Sequence, residues 1–215
     1  MLSLVIQAGG QSSRMGEDKA LKLFLGHPLI QRVVNRLQPI ADELIVTTNR
    51  PKNYAFLSVP LHSDLMPDRG ALGGLYTAIA SASHPIVAVV ACDMPFASAK
   101  LIETAVSIMV QEQADVVIAR ITSTEESGKR SGGYEPLHAV YRRETCLPAI
   151  EAAINANQWK VVAWFPQVKI RELTSDEIKA SDPEGLAFWN VNTPEEFAEA
   201  EQIASAQSAP GTALH

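Results

Sequence analysis

Residues 2–19 read LSLVIQAGGQSSRMGEDK. A short apolar run from Leu2 to Ala8 stops at Gly9-Gly10, the pattern of a buried parallel strand feeding a tight turn. Glycine lets the backbone approach a ligand closely, and successive N–H groups in such a loop can cradle phosphate oxygens. Arg14 and Lys19 add fixed positive charge of two geometries, a planar fork and a point charge. A Walker A loop needs lysine directly after its second glycine, whereas Gly16 is followed by Glu17. Gly9, Gly10 and Gly16 also miss the Gly-x-Gly-x-x-Gly spacing of a dinucleotide fingerprint. A plain surface turn is the competing reading of the glycine pair alone. With Arg14 and Lys19 behind it, the stretch reads as an anion-binding loop.

Strand, turn and helix signals continue to alternate along the chain. Pro28 opens a segment in which Leu29, Ile30, Val33, Val34 and Leu37 follow helical spacing. Residues 43–49 (ELIVTTN) read as a second strand, and residues 70–82 as a glycine-rich loop running into a helix. Residues 86–92 (IVAVVAC), bounded by Pro85 and Asp93, predict a central strand. Ser98 caps a helix with Leu101, Ile102, Ala105, Ile108 and Met109 on one face, and residues 115–120 (DVVIAR) give the next strand. Residues 122–133 then read as a polar loop, 137–141 as a strand and 145–156 as a helix. Residues 160–173 read as a strand or hairpin broken by Pro166. Thr193-Pro194-Glu195-Glu196 carries an N-cap, a proline at the first helical position and the acid of a capping box. The alternation predicts an α/β chain with a mostly parallel central sheet, one domain over 1–204 and a disordered tail over 205–215.

The 215 residues are 47% hydrophobic and 20% charged, which supports a sizeable core and excludes wholesale disorder. The net charge of −6 is uneven: residues 172–215 hold nine acids and one base, Lys179, for −8, leaving +2 on the remainder. No basic stripe appears, so a nucleic-acid partner is not expected, while the mildly basic body suits a small anion. Cys92 and Cys146 lie far apart, too few for a disulfide framework or a zinc cluster. The N-terminal apolar run is too short to span a membrane and lacks the basic flank of a signal peptide. A cytoplasmic protein with no membrane partner is the expectation.

From residue 8 to residue 19 the chain resembles the N-terminal signature of the molybdopterin nucleotidyltransferases, the molybdenum cofactor guanylyltransferases most closely. Their pattern Leu-Ala-Gly-Gly-x-Ser-x-Arg-Met-Gly-x-Asp-Lys is met throughout, except that Gln7 stands where the family has leucine. Three later stretches agree: residues 64–75 with GALGGL, ACDMP at 91–95, and NVNTPEE at 190–196. The matches cover almost the whole chain.

The resemblance implies a three-layer, Rossmann-like nucleotidyltransferase fold with a nucleotide-binding half over 1–120 and a substrate-binding half over 121–204. It implies transfer of GMP from GTP to the terminal phosphate of molybdopterin or its molybdenum form, with molybdoenzymes or their chaperones receiving the product. Nucleotide contacts are implied for Gln7, Ala8, Gly9, Gly10, Lys19, Asn49, Asp64, Asp68, Gly73, Gly74 and Asp93. Catalysis is implied for Arg14, Lys19 and Asp93, and substrate contacts for Asn190 and Asn192. Asp93 also follows a buried strand, where open α/β sheets take their ligands, and Mg²⁺ typically uses one or two carboxylates with phosphate oxygens and water. A loop-bracing aspartate is the plainer reading, and the resemblance favours the metal. Asp68 reads equally as a turn former, and Asn190 and Asn192 equally as residues organising a helix start. His138 reads as a structural histidine, and Trp159, Trp164 and Trp189 as core or interface. Lys129, Arg130, Arg142 and Arg143 are candidate receivers of an anionic pterin. CMP transfer, another phosphorylated acceptor, and a non-catalytic nucleotide- or cofactor-binding role remain alternatives.

Overall fold

In the computed structural model, which describes residues 1–8, 18–121 and 133–208, the opening apolar run forms strand β1 (Leu2–Gln7). A small antiparallel hairpin of β2 (Leu23–Phe24) and β3 (His27–Pro28) precedes helix α1 (Leu29–Leu37). Next come β4 (Glu43–Thr47), the one-turn α2 (Pro51–Tyr54), β5 (Leu61–His62) and α3 (Gly70–Ser81). The chain then runs through β6 (Ile86–Ala91), α4 (Ala99–Glu112) and β7 (Val116–Ile121). Strands β8 (Gly133–Tyr134) and β9 (His138–Arg142), helix α5 (Arg143–Asn155) and β10 (Ile170–Leu173) follow. Helices α6 (Ser175–Ser181) and α7 (Pro194–Ser208) end the described chain.

The main sheet has the order β10-β7-β9-β6-β1-β4-β5, with β8 pairing β7. All its strands run one way except β9, which is antiparallel to both β6 and β7, and β8, antiparallel to β7. Side chains alternate between the faces with the period of two that a strand imposes. Leu4, Ile6, Ala88 and Val90 pack under α1 and α4, while Val5, Val87 and Val89 pack under α3 and α5. Helices therefore cover both faces, a three-layer α/β/α arrangement as expected. A smaller third cluster of Phe24, Leu29, Phe96, Val191, Phe197, Ala200 and Ala204 joins the hairpin to α7. Among the described residues, no helix is long and apolar enough to cross a membrane.

Several local expectations hold. Ser98 caps α4, accepting from Leu101 N at 3.2 Å. Thr193 Oγ1 accepts from Glu196 N at 3.1 Å, and Glu196 Oε2 accepts from Thr193 N at the same distance, the reciprocal capping box. Others are corrected. Residues 160–169 form turns and a 3₁₀ segment (Phe165–Gln167), and only residues 170–173 are a strand. Trp164 is fully buried there, donating Nε1–H to Val161 O at 2.8 Å and meeting Phe165 edge-on at 5.0 Å, so its apolar run fills core without pairing. Helix α7 continues to Ser208, four residues into the expected tail, and residues 209–215 lie outside the described chain.

His138 begins β9 at the end where β6 finishes, opposite Val90. It is 3% exposed; its Nε2 accepts from Ser98 N at 3.1 Å and its ring meets Phe188 edge-on. Burial pushes its pKa down to about 4, with Asp182 opposing part of the effect. The folded pKa lies below the unfolded value of 6.5, so between these values the unfolded chain binds a proton that the folded chain refuses. The stabilisation is full above pH 6.5 and is lost as pH falls toward 4, a term of about 3 kcal/mol at most. His138→Gln, which keeps an acceptor for Ser98 N, is expected to lose less stability than wild type between pH 6.5 and 4.5. Urea unfolding at both pH values measures this, and equal losses in the two proteins would exclude His138 as the source.

Candidate functional site

Strand β1 sends the chain first to β4 and β5 on one side and later to β6 on the other. Such a reversal separates the crossover helices and leaves a crevice at the carboxyl ends of the two inner strands, where open α/β sheets bind ligands. The rims of this crevice are Gln7-Ala8 after β1 and Cys92-Asp93 after β6. Two bonds extend the ladder past the strand ends and hold the rims in register: Cys92 N to Gln7 O at 3.1 Å and Ala8 N to Thr47 O at 2.8 Å.

Lys19 reaches this edge from a 3₁₀ turn (Lys19–Leu21) whose N-cap is Asp18. Its Nζ donates to Asn192 Oδ1 at 2.9 Å and lies 3.9 Å from Asp93 Oδ2. The Lys19 and Asp93 side chains are 17% and 24% exposed, which shields the pair from solvent without closing it. Asn190 is adjacent, its carbonyl accepting from Asn192 Nδ2 at 3.4 Å, and Val191 N donates to Asp93 O at 3.0 Å. The structure thus brings together four residues from distant parts of the chain: Lys19, Asp93, Asn190 and Asn192. Arg14, Gly9 and Gly10, with Lys129 and Arg130, lie outside the described residues.

On the other rim, Gln7 packs against the first turn of α3. A Cβ added at Gly74 would lie 2.0 Å from Gln7 Nε2, and one at Gly73 would lie 2.6 Å from Arg69 Cβ and 2.7 Å from Met66 O. Gly73 and Gly74 were expected in a loop and are instead helical; the missing side chain lets α3 approach the sheet edge at Gly74 and the preceding loop at Gly73. Asn49 Oδ1 accepts from Asp64 N at 2.9 Å. Asp64 Oδ1 in turn accepts from Thr77 Oγ1 at 2.6 Å and Met66 N at 2.9 Å. Asn49 and Asp64 therefore brace one loop beside the α3 N-terminus. Asp68 is exposed and has φ +63°, a turn geometry that aspartate tolerates.

Arg142 and Arg143 fall at the wrong end for the role considered for them. Because β9 runs backwards, Arg142 pairs with Ile86 at the start of β6. Its guanidinium donates to Ala114 O at 3.1 Å, and Arg143 donates to Ala80 O. Trp159 is 49% exposed with the Arg69 guanidinium 5.1 Å from its ring, and Trp189 stacks on Phe96.

Sequence reading missed Asp18 and Tyr54. The hydroxyl of Tyr54, the buried residue of α2, donates to Asp18 Oδ2 at 2.7 Å, and Asp18 Oδ1 accepts from Ala20 N at 3.3 Å. This fixes the turn carrying Lys19. Burial and the Asp18 carboxylate hold the Tyr54 hydroxyl far above its usual range. The adjacency of Asp18 to Lys19 was the available signal; a four-residue helix bearing Tyr54 gave none. Burial, with Asp93 and Asp18 nearby, also keeps the Cys92 thiol protonated.

Among the described residues this switch-point crevice is edged by Lys19 and Asp93, which defines an α/β protein with its ligand crevice at the carboxyl ends of β1 and β6. The particular family follows from comparison: residues 4–169 match the MobA-like NTP transferase domain, and the chain belongs to that family. It is 32% identical over 198 residues to the molybdenum cofactor guanylyltransferase of Desulfosudis oleivorans, covering 92% of this chain and 93% of that one. The molybdenum cofactor guanylyltransferase of Burkholderia ambifaria is also 32% identical, over 201 residues, covering 90% and 92%. The crystal structure of molybdopterin-guanine dinucleotide biosynthesis protein A from Archaeoglobus fulgidus superposes with a TM-score of 0.78. At 22% identity, covering 95% of this chain and 99% of that one, this likeness bears on the fold.

The α3 contacts predict an order of damage. A Gly73 Cβ meets backbone and another Cβ, whereas a Gly74 Cβ meets the movable end of Gln7. Gly73→Ala is expected to cost about 1–3 kcal/mol despite alanine's better helix propensity, and Gly74→Ala less. Urea denaturation midpoints measure both, and a neutral Gly73→Ala would contradict the close approach.

Proposed function

We propose that this chain transfers GMP from GTP to the terminal phosphate of molybdopterin, giving the guanine dinucleotide form of the molybdenum cofactor and releasing pyrophosphate. The observation that carries the reading is the Lys19 ammonium 3.9 Å from the Asp93 carboxylate at the crevice mouth, in a chain of the MobA-like family. An oxygen of the acceptor phosphate bonds to the α-phosphorus of GTP. The bond from that phosphorus to the bridging oxygen breaks, and its electron pair leaves with pyrophosphate. The attacking oxygen is already anionic, so alignment and positive charge are what the protein must supply. Lys19, aimed by Asn192, neutralises charge gathering on the leaving pyrophosphate. Neither the buried neutral His138 nor the protonated Cys92 offers a competing base or nucleophile.

Among the described residues, no group of three or more histidine, cysteine, aspartate or glutamate side chains could hold a metal by itself. A lone carboxylate beside a phosphate site nevertheless fits Mg²⁺, and Asp93 would hold it. When bound, Mg²⁺ neutralises triphosphate charge. Two separate cysteines without a disulfide support work in the reducing cytoplasm.

Pyrophosphate release with Mg²⁺ and molybdopterin, offering GTP, CTP and ATP separately, tests the reading. GTP is expected to be preferred. Asp93→Ala and Lys19→Ala are each expected to lose on the order of 100-fold in rate, with melting temperatures within about 3 °C of wild type. A CTP preference would replace the base and keep the chemistry. Folded protein releasing no pyrophosphate from any nucleotide would overturn the proposal.

A further inference from the structure

We propose that Glu196 is a positioning residue for Lys19, acting through Asn192. The inference rests on the reading of Lys19 and Asp93 given above. Glu196 Oε2 accepts from Thr193 N at 3.1 Å and from Asn192 N at 2.6 Å. The bond to Thr193, with the return bond from Glu196 N to Thr193 Oγ1, is a capping box that the start of α7 explains by itself. The bond to Asn192 is not, because Asn192 precedes the N-cap and its N–H is no part of the helix.

That extra bond fixes the backbone of an exposed residue whose side chain is committed at both ends, Oδ1 to Lys19 Nζ at 2.9 Å and Nδ2 to Asn190 O at 3.4 Å. One residue earlier, Val191 N is tied to Asp93 O at 3.0 Å. Asn192 is therefore anchored to the helix on one side and to the strand end on the other. A lysine stem has four carbons and many rotamers, so its aim depends on the acceptor that receives it. With Asn192 in place, the ammonium stays 3.9 Å from Asp93. Released, it can close on that carboxylate as a direct ion pair and compete with a cation there. Glu196 thereby sets the lysine between pairing with the protein and facing phosphate.

Three variants separate positioning from helix capping. Thr193→Ala damages the capping box and leaves the Asn192 bond intact. Glu196→Ala removes both, and Glu196→Gln keeps an amide oxygen able to accept from both N–H groups. The first readout needs no substrate: acetylation of Lys19 by acetic anhydride, relative to exposed Lys52, followed by mass spectrometry. Glu196→Ala is expected to change Lys19 labelling several-fold and lower kcat on the order of tenfold, with KM for GTP less affected. Thr193→Ala, at a comparable loss in melting temperature, is expected to leave both near wild type, and Glu196→Gln to restore both. If Glu196→Ala does not fold, Glu196→Asp, one methylene too short to reach Asn192 N, takes its place. Unchanged labelling in the Glu196 variant, or equal effects from Thr193→Ala, would overturn the proposal. A labelling contrast in protein whose wild type transfers no nucleotide would uphold the positioning and overturn the reaction instead.

Discussion

The reversal of winding at β1 governs the molecule. A parallel sheet forces each connection to cross back over one face, and the crossover leaving β1 through α1 lies on the opposite face from the one reaching β6 through α3. The carboxyl ends of β1 and β6 consequently border a crevice, with α3 meeting Gln7 on one side of it. The Gln7 amide and the Asp93 carboxylate fall at that edge. The backbone there is held beyond the formal strands by the Cys92–Gln7 and Ala8–Thr47 bonds, under side chains that are half-buried.

The two charged groups at the crevice come from different structural units. Asp93 stands on the main sheet, whose cores lie under α1, α4, α3 and α5. Lys19 stands on the segment leading into the β2–β3 hairpin, which is docked on α7 through the small third cluster. Phe24 meets Phe197 edge-on at 5.4 Å, Lys22 Nζ lies 4.2 Å from the Phe197 ring centre, and Leu25 N donates to Glu201 Oε1. Packing a few aromatic and small residues at the chain's far end thus fixes where the lysine can be. Four of the nine acids of residues 172–215 sit on α7, with Glu196 and Glu201 committed to backbone N–H groups.

Much of this was legible in the sequence because strand signals are local. IVAVVA declares a strand buried on both faces, and Ser98 and Thr193 declare helix starts by short-range chemistry. The apolar run at 161–168 misled because burial and strand formation leave the same composition: Trp164 and Phe165 fill the core from a turn. Gly70–Ser81 misled because glycines that permit helix-to-sheet contact look like glycines that permit a loop. Arg142 and Arg143 were placed by charge alone, and one reversed strand moves them to the far end of the sheet. Within the site, the meeting of Lys19 with Asn192 depends on tertiary packing, and the Tyr54–Asp18 bond has no sequence signal beyond the acid's adjacency to lysine.

The Lys19–Asn192 bond spans 173 positions of the chain. On a ribosome adding roughly 5–20 residues per second, the lysine therefore emerges on the order of ten seconds or more before its acceptor. During that interval the strands that present Asp93 can already pair, while the lysine lacks the acceptor that keeps it off that carboxylate. Maturation of the crevice is thereby tied to synthesis of the segment leading into α7. A chain stopped before α7 lacks the acceptor that aims the cation, so the same bond that arranges the site also reports that the segment leading into α7 has been made.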